Sequence, residues 1–169
     1  MLSVTNNTDI IIHYSDPLGP SPFRGLSGAI ISSAPTLSTL ETLTFRFFWS
    51  LATPLSVIAE ELIELSLSNG SVLQKIRIDL CYYDGVYRGE FLGQFEDFDK
   101  AVYWTRFRHL RELEVNIYEY DTIIVTDWPR TETHIKDIEM GICNSFKGLK
   151  NGDGDEVMIK ASIVNANLL

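Results

Sequence analysis

The chain has 169 residues, enough for one domain with its own core, and 45% apolar and 22% charged residues exclude wholesale disorder. A net charge of −9, with 14 basic residues scattered along the chain, excludes the basic stripe that nucleic acid or an anionic membrane requires. No apolar run approaches the ~20 residues of a membrane span, and Met1 to Thr8 has neither the basic nor the apolar region of a signal peptide; an intracellular protein, cytoplasmic or nuclear, is expected.

In chain order, the first strand is expected at Asp9–Tyr14, where Ile10, Ile12 and Tyr14 take the apolar positions. Ser21–Ser33 carries Phe23, Leu26, Ala29 and Ile30 at helical spacing, although Gly25 and Gly28 weaken that helix. A second strand follows at Thr42–Phe48. Thr53-Pro54 is a helix start, Asn69-Gly70 a stop, and between them Leu55, Ile58, Leu62 and Leu65 form an apolar stripe. Glu60, Glu61 and Glu64 fall on the other side of that helix. A third strand is expected at Lys75–Leu80, and a third helical stripe at Phe95, Phe98, Val102 and, more loosely, Phe107. A fourth strand covers Glu112–Tyr118. Ile135, Ile138, Ile142 and Phe146 then form a helix stripe that Thr131 caps and Gly148 ends. Asn151-Gly-Asp153-Gly-Asp155-Glu156 fails the calcium-loop pattern at its sixth and twelfth positions and reads as a tight acidic turn before a fifth strand at Glu156–Ile163.

Three of these segments align in one register. They are Leu40-x-x-Leu43-x-Phe45-x-Phe47, Leu73-x-x-Ile76-x-Ile78-x-Leu80 and Leu110-x-x-Leu113-x-Val115-x-Ile117, starting 33 and then 37 residues apart. One apolar residue fixes the entry and the alternation then marks a strand with one buried face. Strands alternating with helices imply a parallel sheet. A doubly wound sheet would bury both faces and show strands apolar throughout. Here Thr44, Arg46, Arg77, Asp79, Glu114 and Asn116 occupy the second face, which is therefore expected to be wet. The expected fold is α/β: a leucine-rich-repeat-like solenoid slab, with a parallel five-stranded sheet in sequential order and helices on one face. One domain spans 1–169, clearest in 36–118, with atypical terminal units in 1–35 and 150–169.

The Leu-x-x-Leu-x-apolar-x-apolar core resembles an irregular leucine-rich repeat, most closely the C-terminal region of fungal F-box-type proteins. There a Trp-containing helix often leads into a strand, as in the run from Ala101 through Trp104 to Ile117. The Asn/Cys ladder of regular leucine-rich repeats is absent. An F-box, the N-terminal three-helix segment that docks on an adaptor, is not seen before Pro35. The resemblance implies the substrate-recognition part of a ubiquitin-ligase-type protein, either alone, as a fragment, or in a relative without the adaptor link.

Chemical motifs are sparse. There is no phosphate loop, no Gly-x-Ser-x-Gly elbow, and no metal-ligand spacing among His13, His109, His134, Cys81 and Cys143. The cysteines read as buried thiols, and neither cofactor nor metal is expected. Two features point to a surface. On the outer face, equal repeat positions sit side by side, pairing Arg46 with Asp79 and Arg77 with Glu114. Six of the seven tyrosines close or follow a strand, among them Tyr83, Tyr87, Tyr118 and Tyr120; Trp128 and Arg88 lie in the same loops. Tyr, Trp and Arg are the usual anchors of protein interfaces. The expected function is non-catalytic recognition of a protein partner through Arg46, Arg77, Asp79, Glu114, Tyr83, Tyr87, Arg88, Tyr118, Tyr120 and Trp128. The alternatives are a small open-sheet α/β enzyme with a ligand at the strand C-terminal ends, and a structural fragment that self-associates through its edge strands.

Overall fold

The computed structural model describes residues 2–6, 9–14, 25–32, 38–49, 54–67, 72–83, 90–120 and 132–165. Its strands are β1 (Leu2–Asn6), β2 (Asp9–Tyr14), β3 (Thr42–Trp49), β4 (Lys75–Tyr83), β5 (Glu112–Tyr120) and β6 (Met158–Asn165). The helices are α1 (Leu26–Ser32), α2 (Pro54–Ser66), α3 (Glu90–Ala101) and α4 (Glu132–Ser145). A 3₁₀ turn, Trp104–Arg106, follows α3. Both the element order and the parallel sheet place the fold in the α/β class.

The sheet runs β1-β2-β3-β4-β5-β6 in sequence order. Among the described residues this order has no reversal of the kind at which doubly wound sheets bind their ligands. From β2 onward each strand pairs in parallel with the next, whereas β1 pairs antiparallel with β2, Leu2 opposite Ile12 and Val4 opposite Ile10. The expected five-stranded, all-parallel sheet is thus corrected to six strands with one antiparallel edge. Only Asn7 and Thr8 separate β1 from β2, too few residues for the crossover that parallel pairing needs.

The repeat register read from the sequence coincides with the pairing register. Leu43 lies opposite Ile76, and Ile76 opposite Leu113; Phe45, Ile78 and Val115 form the next row. All six are buried, as are the entry residues Leu40, Leu73 and Leu110. The ladder extends into those entries, because the Gln74 and Lys75 amides donate to Glu41 O, and the Arg111 and Glu112 amides to Gln74 O. These inward rows join Ile30 of α1, Leu55, Ile58, Leu62 and Leu65 of α2, Phe95 and Phe98 of α3, and Ile138 and Ile142 of α4 in one continuous core. Each such side chain, taken from water, contributes roughly 1.5–3 kcal/mol.

Helix α3 ends at Ala101, so Val102 and Phe107 are buried from the segment after it rather than from the helix. Trp104 explains the stop. Its ring packs edge-on against Phe98 and Phe146, with centroids 5.8 and 6.3 Å apart. Its indole N–H donates to the Asp99 carboxylate at 2.9 Å. Helix α1 is held differently. Glu61, expected on the solvent side of α2, is buried and accepts the Gly25 amide, the Ser27 amide and the Ser27 hydroxyl at 2.7–2.8 Å. It caps the start of α1 from outside, in the role a local N-cap side chain would otherwise fill.

The acidic turn before β6 is built on the side chain of Asn151, which is buried. Asn151 Oδ1 accepts the amides of Asp153 and Asp155, and its Nδ2 donates to Leu110 O at 3.1 Å, tying the turn to the entry of β5. The outer edge of β6 is partly occupied by α4. Glu139 accepts the Ile163 amide at 3.0 Å, and Cys143 takes a backbone hydrogen bond from Ala161. Edge strands are commonly blunted in this way.

Gly152 lies where the turn meets the Trp104 segment, and a Cβ there would sit 2.6 Å from the Thr105 carbonyl oxygen and 3.1 Å from Arg108 Cα. Both are backbone atoms and neither can swing aside. Gly152→Ala is expected to lower the unfolding free energy by about 1–3 kcal/mol in urea denaturation; an unchanged midpoint would show that this contact does not constrain the turn.

Candidate functional site

The outward positions of β3 to β6 form a polar grid. Thr44, Arg77, Glu114 and Lys160 make one row, and Arg46, Asp79, Asn116 and Ser162 the next. Lys75 and Glu112 stand side by side in the row before these. Alternation along each strand brings these side chains out on one face, and the parallel pairing aligns them across it.

Asp79 is the hub. Its side chain is completely buried, yet all its bonds are to side chains of this outer face. Oδ2 accepts from Arg46 Nε at 2.9 Å and Nη2 at 2.6 Å; Oδ1 accepts from Arg77 Nε at 2.7 Å and Asn116 Nδ2 at 3.0 Å. A carboxylate removed from water is tolerated only when it is satisfied in this way. The expected wet face is therefore corrected at its centre, where Thr44, Asp79 and Asn116 are all buried. The long stems of Arg46 and Arg77 fold over their shorter neighbours and leave their own charged ends partly in solvent.

The predicted pairs are realised unequally. Arg46 and Asp79 meet at hydrogen-bond distance across the strand pair. Arg77 stands 3.8 Å from Glu114 and makes its short bonds to Asp79 on its own strand and to the Tyr118 hydroxyl at 2.7 Å. Glu114 is bonded instead by Lys75 and by Asn116 Nδ2. Lys75 and Lys160 both reach Glu112 at 2.7 Å, and Ser162 donates to Asn116 Oδ1. Lys75, Glu112, Asn116, Lys160 and Ser162 thus belong to the network although they were not among the predicted site residues. Asn116 was already placed on this face; the same alternation puts Lys75 and Glu112 there, two residues before Arg77 and Glu114, and Lys160 and Ser162 between the apolar Ile159, Ala161 and Ile163.

Tyr118 was expected as a partner anchor. It is half-buried, its hydroxyl accepts from Arg77, and the Arg46 guanidinium lies 5.9 Å over its ring. It belongs to the network rather than to a free loop. Tyr83 and Tyr120 are register partners at the ends of β4 and β5, and their side chains lie outside the described residues. So do Tyr87, Arg88 and Trp128.

The charges tune one another. For Glu112, hydrogen bonds from Lys160 and then Lys75 outweigh burial and hold the carboxyl below its ordinary range. Burial pushes Glu114 up, but bonds from Lys75 and Asn116 and the Arg77 charge bring it below that range as well. Burial pushes Lys75 down, and its bonds to Glu112 and Glu114 more than reverse this. Arg77 is raised in the same manner, burial lowering it and Asp79 more than restoring it. On the helical side, a groove of about 370 Å³ runs between α2 and α3, lined by Leu55, Ala59, Ile63, Gln94, Phe98 and Ala101 with Glu60 and Asp97 at its rim. Among the described residues, no helix is long and apolar enough to cross a membrane.

Two measurements probe the network. Asp79→Ala is expected to cost about 3 kcal/mol in urea denaturation, because two guanidinium groups and an amide lose a buried partner, while Lys160→Ala, at an exposed pair, costs at most about 1 kcal/mol. The pH dependence follows from the shifts. Depressed glutamates stabilise the fold above the ordinary glutamate range near 4.5, and that stability is lost as pH falls through their lower folded values. The raised Lys75 stabilises below its ordinary 10.5, and its share is lost as pH rises through the higher folded value. A Lys75→Met variant should therefore show a smaller loss of melting temperature than the parent both below pH 4.5 and above pH 10.5; parallel curves would disconnect the network from the pH response.

Comparison of the chain with protein-family models, with curated proteins and with solved structures gives no match.

Proposed function

We propose that this chain is a leucine-rich-repeat-like solenoid slab acting as a non-catalytic, intracellular recognition module for a protein partner, of the kind that selects substrates in F-box-type ubiquitin ligases. The observation that carries the reading is the outer sheet face. It is a rigid polar surface in which every strand from β3 to β6 contributes side chains already bonded to one another around Asp79. Groups held in this way give up little conformational freedom when a partner lands on them. Their charges set selectivity more than raw affinity. The sequential strand order supports this reading over the open-sheet enzyme, which needs a crevice at a point where the order reverses. The bonds from α4 to the Ala161 and Ile163 amides weigh against β6 as a free template for self-association.

Tyr83 and Tyr120 at the ends of β4 and β5, with Tyr87, Arg88 and Trp128 after them in sequence, are proposed as the anchors flanking that face. Replacing Tyr87 and Tyr120 together with alanine is expected to abolish capture of a partner that the parent chain retains in affinity purification from cells, with a melting temperature within a few degrees of the parent. Retention of the same partner by the double variant would refute the aromatic edge as part of the interface.

A further inference from the structure

We infer that the outer sheet face selects an acidic, extended peptide segment whose carboxylates recur at every second residue. This rests on the recognition reading and assigns the chemistry of its partner.

The first observation is how charge is layered. The carboxylates lie deep, Asp79 being 0% and Glu114 and Glu112 18% and 19% exposed at the side chain. The cations lie above them, Arg77, Lys75 and Arg46 being 30–36% and Lys160 53% exposed. What a partner meets is therefore the outer part of the basic side chains. The second observation is the distribution of charge over the molecule. The outward positions of β3 to β6 carry four cations and three carboxylates, a net +1 in a chain of net −9, so the rest of the chain carries −10. An acidic ligand is repelled by the remainder of the surface and finds a local minimum here.

The third observation is spacing. Arg77 on β4 lies diagonally across from Arg46 on β3, and Lys75 lies two residues before Arg77 on the same strand, so each step moves to the next row. With strands about 4.8 Å apart and rows about 6.7 Å apart, the diagonal step is roughly 8 Å and the step along β4 roughly 7 Å, both close to the separation of residues i and i+2 in an extended chain. Donors remain for such a ligand. Among the described residues Arg46 commits Nε and Nη2 to Asp79 and leaves Nη1 unbonded. Arg77 commits Nε and Nη2, with Nη1 standing 3.8 Å from Glu114. A guanidinium fork anchored at one side and open at the other suits a carboxylate. A phosphodiester chain would meet the same guanidinium forks and the same acidic surroundings, and the test separates it.

The test is fluorescence anisotropy of the full chain with a labelled peptide of alternating glutamate and serine, its alternating lysine–serine counterpart, and an oligothymidylate of equal negative charge. Saturable binding of the glutamate peptide that weakens with added salt, and none of the lysine peptide, is expected. Lys75→Gln and Lys160→Gln should each weaken it about threefold, whereas Lys136→Gln on the exposed surface of α4 leaves it unchanged. If Lys75→Gln does not fold, Lys160→Gln alone carries the comparison. Absence of binding by the glutamate peptide, equal weakening by Lys136→Gln, or tighter binding of the oligothymidylate would each overturn the inference. If it fails while the Tyr87 and Tyr120 double variant still loses its partner, the assigned chemistry is wrong and the recognition reading stands; if both fail, the recognition reading falls with it.

Discussion

One register runs through this sheet, and the rest of the molecule depends on it. Leu43, Ile76 and Leu113 occupy one row, and Phe45, Ile78 and Val115 the next. Because side chains alternate along a strand, slipping any strand by one residue would turn its whole apolar set toward solvent and push its polar set into the core. The buried leucines at the entries, Leu40, Leu73 and Leu110, hold each strand against such slippage before the alternation begins. Hydrophobic burial on one face thereby dictates what is assembled on the other.

The polar network is the product of that constraint. No outward residue is brought to its partner by a local turn or a special backbone conformation. Arg46 meets Asp79, and Asp79 meets Asn116, because Phe45, Ile78 and Val115 have already aligned their strands. The network in turn makes register errors costlier, since a displaced Asp79 would be a carboxylate without donors. The two faces reinforce each other, which is the consistency expected of a sequence that specifies one structure.

Where the regular pattern ends, individual polar side chains take over. Glu61 reaches from α2 to cap α1, Asn151 folds the turn before β6 and binds the Leu110 carbonyl, and Glu139 covers an amide on the outer edge of β6. Each satisfies backbone groups that the described helices and strands leave open. The outer sheet face keeps its cations partly in solvent, and it is there that recognition is proposed.

The sequence by itself determined the alternation of strands and helices, the register of β3, β4 and β5, and the membership of Arg46, Arg77, Asp79, Glu114 and Tyr118 in one face or its end. These follow from short-range periodicity, which is written residue by residue. It did not reveal β1, since Leu2 and Val4 are too short an alternation to stand out. The burial of Glu61 was also hidden, because helical spacing places it beside Glu60 and Glu64 and cannot say that α1 lies against it. Only the tertiary structure decided that Arg77 turns to Asp79 and Tyr118 rather than to Glu114. Neighbouring strands offered Arg77 several acceptors at similar distances. Which of them a long, flexible side chain takes depends on competing donors, here Lys75 and Asn116 at Glu114, that only three-dimensional packing brings together.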